Sequence, residues 1–409
     1  MKRISLIIIA LAPLLWIGCR EEERIDQIDS NAPAPAQVTI TNNYGTPGGA
    51  VLKYAVPTGE NLLYVRAEYE TQPGVVRECR SSFYKDSLVL EGFGDERVYD
   101  VKVYSVGRNE KTSEPLAVRV IPEKAPVHLA TKEFKETFGG VSVIVNNPER
   151  ANLAIVLMGD IDHTGHQAYL ETYFTSKSKA SFTFRGSSGK LGIEPYDFSV
   201  YLRDRWGNLS SVEKGTVEPL FEELIPKDTW DYFDLPGDAP STSSFTPSNL
   251  SSIWRDPSTT SNFEWASYNQ SGIYPFWGTW DMGLTAIIGR IKVWHNTTAP
   301  AEIAFTRTSP RIFELWGSAN PNLDGSWASW IPLGRFEIEK PSPGEAVTEE
   351  DMEAARAGFD FDLGRDEFSP DPFVPIRYIR LKTVEPFGGY RYSGAVLYRQ
   401  ITFWGTVVE

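Results

Sequence analysis

The sequence predicts an all-β protein made of β-sandwich modules in series, and three observations carry that expectation. Short alternating pieces such as NLLYVRAEYE, DSLVLEGF, YDVKVYSV, SFTFRG and YDFSVYL recur, with turn residues between them at the spacing of an antiparallel sandwich. A repeat of domain size runs through the first half, too long for a solenoid unit. Only VTEEDMEAARAGFDF at 347–361 reads as a convincing helix, with Thr348 as N-cap, Asp351 three residues on and Gly358 at its end. It is expected as an insertion in a loop.

The first element is a leader. Lys2 and Arg3 precede an apolar run from Ile4 to Ile17, shorter than the roughly 20 residues a spanning helix needs. Such a run fits the core of a signal peptide with Gly18 before the cut. Trp16-Ile17-Gly18-Cys19 resembles the bacterial lipobox, with Trp where Leu is usual. The resemblance implies a signal peptide over 1–18 and a lipidated Cys19 as the first mature residue. Acyl chains contribute about 0.8 kcal/mol per buried methylene, ample for a stable anchor when there are two or more. Glu21-Glu22-Glu23 resembles the acidic tag of lipoproteins displayed on the outer face of the outer membrane. Residues 19–36 then read as a charged, Pro/Ala-rich flexible stalk.

Composition narrows the function. A formal charge of −14 argues against nucleic acid, since phosphate binding needs clustered Lys and Arg. Of the two cysteines only Cys79 remains after Cys19, so no internal disulfide is expected. Cys79 sits in an alternating stretch and reads as a small buried residue.

The repeat defines the next two modules, expected at 37–123 and 124–222. GGAVLKYAVP at 48–57 echoes GGVSVIVNNP at 139–148, and VYDVKVYSVGRNEKTSEP at 98–115 aligns with PYDFSVYLRDRWGNLSSV at 195–212. The offset grows between these pairs, which places a short insertion around MGDIDHTGHQ at 158–167. Tyr-x-Val-x-Val followed by a polar turn and Ser-x-Pro resembles the last strands of a fibronectin type III module. The resemblance implies corner tyrosines at Tyr99 and Tyr196, with a backbone hydrogen bond each. Tyr54 and Val145 stand where that family has a buried Trp.

The third module is expected at 223–409, where ten of the twelve tryptophans lie. TWDMG leading into IIGRIKVW, RIFELWGS, DGSW at 324–327, IRYIRLKTV and RQITFWGTV follow in an order that resembles a discoidin domain, the galactose-binding-like jelly roll. Gln400 replaces the usual Glu before the last strand. The expected fold is therefore two fibronectin type III-like sandwiches followed by a discoidin-like jelly roll. The resemblance also implies room for a structural calcium near the loops, with no ligand set assigned and no other cofactor expected.

Asp160, Asp162, His163 and His166 in GDIDHTGH have metal-ligating types, but they fall in a predicted loop where such residues serve as polar turn formers, so no metal site is assigned. No G-x-S-x-G elbow, H-E-x-x-H or phosphate loop occurs, and the chain is read as a non-enzyme. Abundant carboxylates leave a two-carboxylate glycosidase open on composition alone. Binding is the better reading. Sugars offer C–H faces to aromatic rings and hydroxyls to Arg, Asp and Asn. The loops of the third module crowd both types together, giving Trp254, Arg255, Asp256, Tyr274, Trp277, Trp327, Tyr390 and Arg391 as carbohydrate-binding candidates. The strand tryptophans Trp280, Trp294, Trp316 and Trp404 are expected in the core.

The whole order resembles the surface lipoproteins that accompany starch-utilisation-type outer-membrane transporters. That implies a cell-surface glycan-binding protein, lipid-anchored in the outer membrane, that captures poly- or oligosaccharide for an importer complex. The alternative is a surface adhesin or a structural companion of the transporter, binding a protein partner.

Overall fold

A computed structural model of the chain describes residues 29–59, 61–239, 250–254, 265–268, 274–297, 304–364, 368–369, 372–389 and 395–408, with the backbone alone at 265–268 and 395. It is all-β, with two fibronectin-like sandwiches followed by a discoidin-like body. Cys19 and its leader lie outside the described residues. No described helix is long and apolar enough to cross a membrane.

The first sandwich contains β1 (Thr39–Thr46), β2 (Gly49–Ala55), β3 (Leu62–Gln72), β4 (Val75–Ser82), β5 (Ser87–Glu91), β6 (Tyr99–Gly107) and β7 (Leu116–Val120). Its sheets run β1-β2-β5 and β4-β3-β6-β7, with antiparallel pairing throughout. The second has β8 (Thr131–Thr137), β9 (Gly140–Asn146), β10 (Leu153–Asp160), β11 (Ala168–Thr175), β12 (Lys179–Phe184), β13 (Tyr196–Asp204) and β14 (Glu213–Val217). Its sheets, β8-β9-β12 and β11-β10-β13-β14, repeat the order of the first. The repeat in the sequence is thus a repeat of topology. The extra residues of the second copy lie in the β10–β11 hairpin, whose loop spans 161–167 where the β3–β4 loop has only Pro73 and Gly74.

Each sandwich has its own core, because alternate residues of facing sheets point inward. Leu52, Val65, Ala67, Leu90, Phe93 and Val101 fill the first; Val143, Ile155, Leu157, Phe198 and Val200 fill the second. Tyr54 is buried and donates its hydroxyl to the Lys85 carbonyl at 3.1 Å. The corner tyrosines differ from expectation in part. Tyr99 donates to the Asp95 carboxylate at 2.8 Å rather than to backbone, whereas Tyr196 accepts from Gly192 N–H at 3.2 Å and donates to Glu194. An acidic residue close upstream in each copy offers a better acceptor than a carbonyl. Cys79 is half-buried, and burial pushes its thiol up to about 12.

The third body contains β15 (Glu223–Leu224), β16 (Asp231–Tyr232), β17 (Trp265–Tyr268), β18 (Phe276–His295), β19 (Pro310–Ser318), β20 (Ile331–Glu337), β21 (Phe359–Asp362), β22 (Ile376–Pro386) and β23 (Ala395–Val408). The twenty-residue β18 pairs with four strands, β22 and β23 along most of its length and the short β16 and β21 beside them. Its first part, Phe276–Asp281, pairs with β22, and from Thr285 onward it pairs with β23. Gly283, at φ 71°, makes the bend between them and donates its N–H to the Asp281 carboxylate. A Cβ there would lie 2.4 Å from the Thr229 carbonyl, so a glycine is needed. The helix Glu349–Ala357 carries the expected capping box, with Asp351 accepting from both Thr348 N–H and Thr348 Oγ1.

The three bodies are joined by one device used twice. The segment leaving the first sandwich pairs with its β1–β2 turn, Pro47 against Glu123, and the segment leaving the second does the same, Phe138 against Leu220. Beyond the first joint, the Trp206 ring lies between the guanidinium groups of Arg77 and Arg205, at 4.6 and 4.4 Å. Beyond the second, Glu222 is buried between Arg290, at 3.0 Å, and Arg185, at 3.9 Å.

Candidate functional site

The two half-exposed tryptophans of the candidate set meet on the outer face of the third body. Trp277 lies near the start of β18, opposite Lys382 of β22; Thr279 is opposite Arg380, and Arg380 is opposite Trp316 of β19. Cross-strand partners share a face, so Trp277, Thr279, Arg380, Lys382, Glu314 and Trp316 form one surface. The loop 319–330 folds back over it and contributes Trp327 from a short 3₁₀ turn, Trp327–Ser329. Trp327 stands edge to face with Trp277 at 5.0 Å and with Trp316 at 4.9 Å.

Local chemistry fixes the loop. Asp324 accepts from Ser326 N–H at 2.9 Å, Asn322 N–H donates to Ser329 Oγ at 2.9 Å, and Ser318 Oγ donates to the Ser329 carbonyl at 2.7 Å. Gly325 sits at φ 78°, and a Cβ there would meet the Pro236 carbonyl at 2.0 Å. DGSW is thus a turn that only glycine can close against the 235–239 segment.

Arg380 is the post beneath the rings. Its side chain is fully buried, with Nε donating to Thr279 Oγ1 at 3.0 Å and Nη1 to the Gly325 carbonyl at 3.2 Å. The guanidinium lies 4.6 Å from the Trp327 ring and 4.3 Å from Trp330. Its ionic partner is Asp238, 3.5 Å away. Burial pushes the Asp238 carboxyl up and the Arg380 guanidinium down, each against the pull of the other. A second charged group flanks the surface: buried Glu314 accepts from Lys382 at 2.8 Å, Arg335 at 2.9 Å and Trp316 Nε1 at 3.1 Å. The result is a ridge of indole edges and faces rimmed by fixed charges.

The other candidates fall elsewhere. Trp254 is 6 % exposed and packs in the core with Trp230 and Trp280, so it offers no face to solvent. It follows the short 3₁₀ helix Leu250–Ile253, whose residues are all buried, and that turn carries the indole inward. Tyr274 is also buried, against Phe276 at 5.1 Å, and burial pushes its hydroxyl up to about 12. Arg255, Asp256, Tyr390 and Arg391 lie outside the described residues.

The strand tryptophans need a correction too. Trp280 is fully buried, but Trp294, Trp316 and Trp404 are only half-buried. Strand alternation is the reason, because Val293, Leu315 and Phe403 take the inward positions beside them. Trp404 instead covers Arg290, 3.9 Å from its ring. Reasoning from sequence missed Arg380, Lys382 and Glu314; the alternation of RYIRLK, which puts Arg380 and Lys382 on one face, was the available signal.

A cavity of about 720 Å³ opens on the same body, bounded by Arg307, Arg311, Glu337, Lys340 and Phe387. Phe305 and Arg307 hold left-handed backbone there, at φ 56° and 46°, and the Arg307 carbonyl accepts from Gly388 N–H at 2.7 Å. Among the described residues no three His, Cys, Asp or Glu side chains gather as a metal set. In GDIDHTGH, Asp160 is occupied by the N–H groups of Thr164 and Gly165, and His163 stacks on Tyr196 at 5.0 Å.

Three families of domains of unknown function match the chain: DUF4959 over residues 35–122, DUF5126 over 123–228 and DUF5000 over 254–405. No curated protein matches. Among solved structures, the chain is similar to a SusE-like protein at 27 % identity, covering 69 % of this chain and 100 % of that one, with a TM-score of 0.41. It is also similar to the C-terminal domain of a Bacteroides fragilis chitobiase at 16 % identity, covering 46 % and 100 %, with a TM-score of 0.31. A two-domain fibronectin type III segment of chicken tenascin is 14 % identical, covering 46 % and 99 %, with a TM-score of 0.22.

Proposed function

We propose that the chain is a non-catalytic glycan-binding lipoprotein of the cell surface, anchored through Cys19, with residues 223–409 as its carbohydrate-binding domain and residues 37–123 and 124–222 as the modules that carry it. The observation that supports this reading is the meeting of Trp277 and Trp327 over the buried Arg380. Indole faces stack on the C–H faces of sugars, and the charges of Lys382 and Arg335, held in place by buried Glu314, flank the rings as partners for ring hydroxyls. A rigid, half-exposed aromatic site loses little entropy on binding, which favours capture of a flexible chain. Held on a stalk, it would pass glycan to an outer-membrane importer.

The test is binding of soluble chain from residue 20 onward to a panel of polysaccharides and their oligosaccharides. Binding that Trp277→Ala and Trp327→Ala each weaken at least tenfold, with melting transitions retained, supports the reading. Wild-type protein that binds no glycan but co-purifies with an outer-membrane partner would replace it with the adhesin or structural-companion role.

A further inference from the structure

Two sandwiches of one topology allow a comparison within the molecule. In the first, the outer face of β4-β3-β6-β7 is covered with charge. Arg66 pairs with Glu68 at 3.1 Å and Glu78 at 3.7 Å, Arg80 pairs with Glu78, and Arg66 and Arg80 lie over Tyr104 and Tyr64. In the second, the equivalent face of β11-β10-β13-β14 carries no such pairs among the described residues. Its central strand presents Ala154, Val156 and Met158 where the first presents Tyr64, Arg66 and Glu68.

Around that apolar floor stand exposed rings. Phe174 lies opposite Ala154, and Arg203 lies on Ala154's other side; Thr172 and Tyr201 flank Val156. A register shift between Leu157 and Met158 skips Leu170, which turns into the core, and brings Tyr169 to the outer face opposite Met158. Phe174 is 75 % and Tyr169 60 % exposed, while Ala154 and Val156 are buried between the two walls. One end of this trough opens into a cavity of about 770 Å³ rimmed by Asn152, Thr175, Ser176 and Arg203. That size is within the range of small-ligand sites.

We propose that this face is a second binding groove for an extended neutral polysaccharide; the inference rests on the glycan-binding reading above. Width and chemistry choose the occupant. The walls are two strand spacings apart, about 10 Å, while a helix with side chains needs about 10–12 Å. An extended peptide would set its amides against an apolar floor whose own backbone groups are already spent in the β10–β11 and β10–β13 ladders. A sugar chain presents C–H faces to that floor and hydroxyls to the rim. The rim holds little free charge. Asp204 is taken by the N–H groups of Trp206 and Asn208, and Arg205 by Glu91, which leaves Arg203 among neutral donors.

The test is affinity electrophoresis of the soluble chain in gels of amylopectin, mixed-linkage β-glucan, arabinoxylan and galactomannan. It is paired with calorimetry on a tetrasaccharide of whichever polymer retards the wild type. The double variant Phe174→Ala/Tyr169→Ala removes only exposed rings. Its expected result is a fivefold or greater loss of affinity for polymer, with tetrasaccharide binding unchanged, because short ligands are held by the Trp277–Trp327 site. Polymer affinity equal to wild type overturns the groove and leaves the main site standing, even if the variant loses an outer-membrane partner. Wild type that is retarded by no polymer overturns both readings. A variant that melts early is replaced by Phe174→Ser alone, with the same outcomes.

Discussion

The guanidinium of Arg380 is 3.5 Å from the carboxylate of Asp238, both buried, and on that pair rest the rings of Trp327 and Trp330. Arg380 is too deep to touch a ligand. Its role is to position the indoles, and that separates residues that build the surface from residues that would meet a sugar.

Removing one member of this pair strands the other charge. Arg380→Ala is expected to destabilise the third body by about 3–5 kcal/mol, since an unpaired buried carboxylate remains. The double variant Arg380→Met/Asp238→Asn should recover a large part of that loss in urea unfolding. A double variant no more stable than the single would show that the pair does not hold the loop.

The tryptophans should sort by burial. Trp280→Ala empties a fully enclosed position and should cost about 3–5 kcal/mol. Trp404→Ala, half-buried over Arg290, should cost clearly less. Thermal melts of the two variants beside wild type decide it, and equal losses would contradict the inward and outward assignment of β23.

The second joint gives a mechanical prediction. A Cβ on Gly289 would come within 2.2 Å of Phe138 Cδ2, and Phe138 also contacts Phe373 at 5.3 Å. Gly289→Val should therefore push the second sandwich off the third body while each core stays folded. Limited proteolysis should then cut near 218–224, and the scattering profile should broaden. An uncut, wild-type-shaped variant would mean that Glu222 and its arginines hold the joint alone.

Acid should weaken the third body through His295. The ring is fully enclosed by Phe305, Phe359 and Phe387, its Nε2 lies 2.9 Å from the Pro310 carbonyl, and burial lowers it to about 4. The unfolded chain binds the proton near pH 6.5, so stability is complete above that pH and falls as pH drops towards 4. Each unit across that window removes up to about 1.4 kcal/mol. Denaturation at pH 7, 6, 5 and 4.5 should show the slope, and His295→Phe should flatten it.

Much of the fold was legible because it depends on local pattern. Alternation, turn residues and the repeat fix strands whose two faces differ, and the Thr348–Asp351 box fixes its helix end by contacts four residues long at most. The pairing of DGSW with a tryptophan was also visible, since a left-handed glycine is a local demand. Tertiary structure alone decided which rings are free. Trp254 and Trp277 look alike in sequence, yet one enters the core and the other faces Trp327. Burial is set by what the facing strand supplies, not by a residue's neighbours in the chain. The same holds for Arg380, Asp238 and Gly325, brought together from positions far apart, and for the outer face of the second sandwich. There the repeat preserves inward residues, because they build a shared core, and leaves outward ones free to diverge into a charged face on one module and an apolar trough on the next.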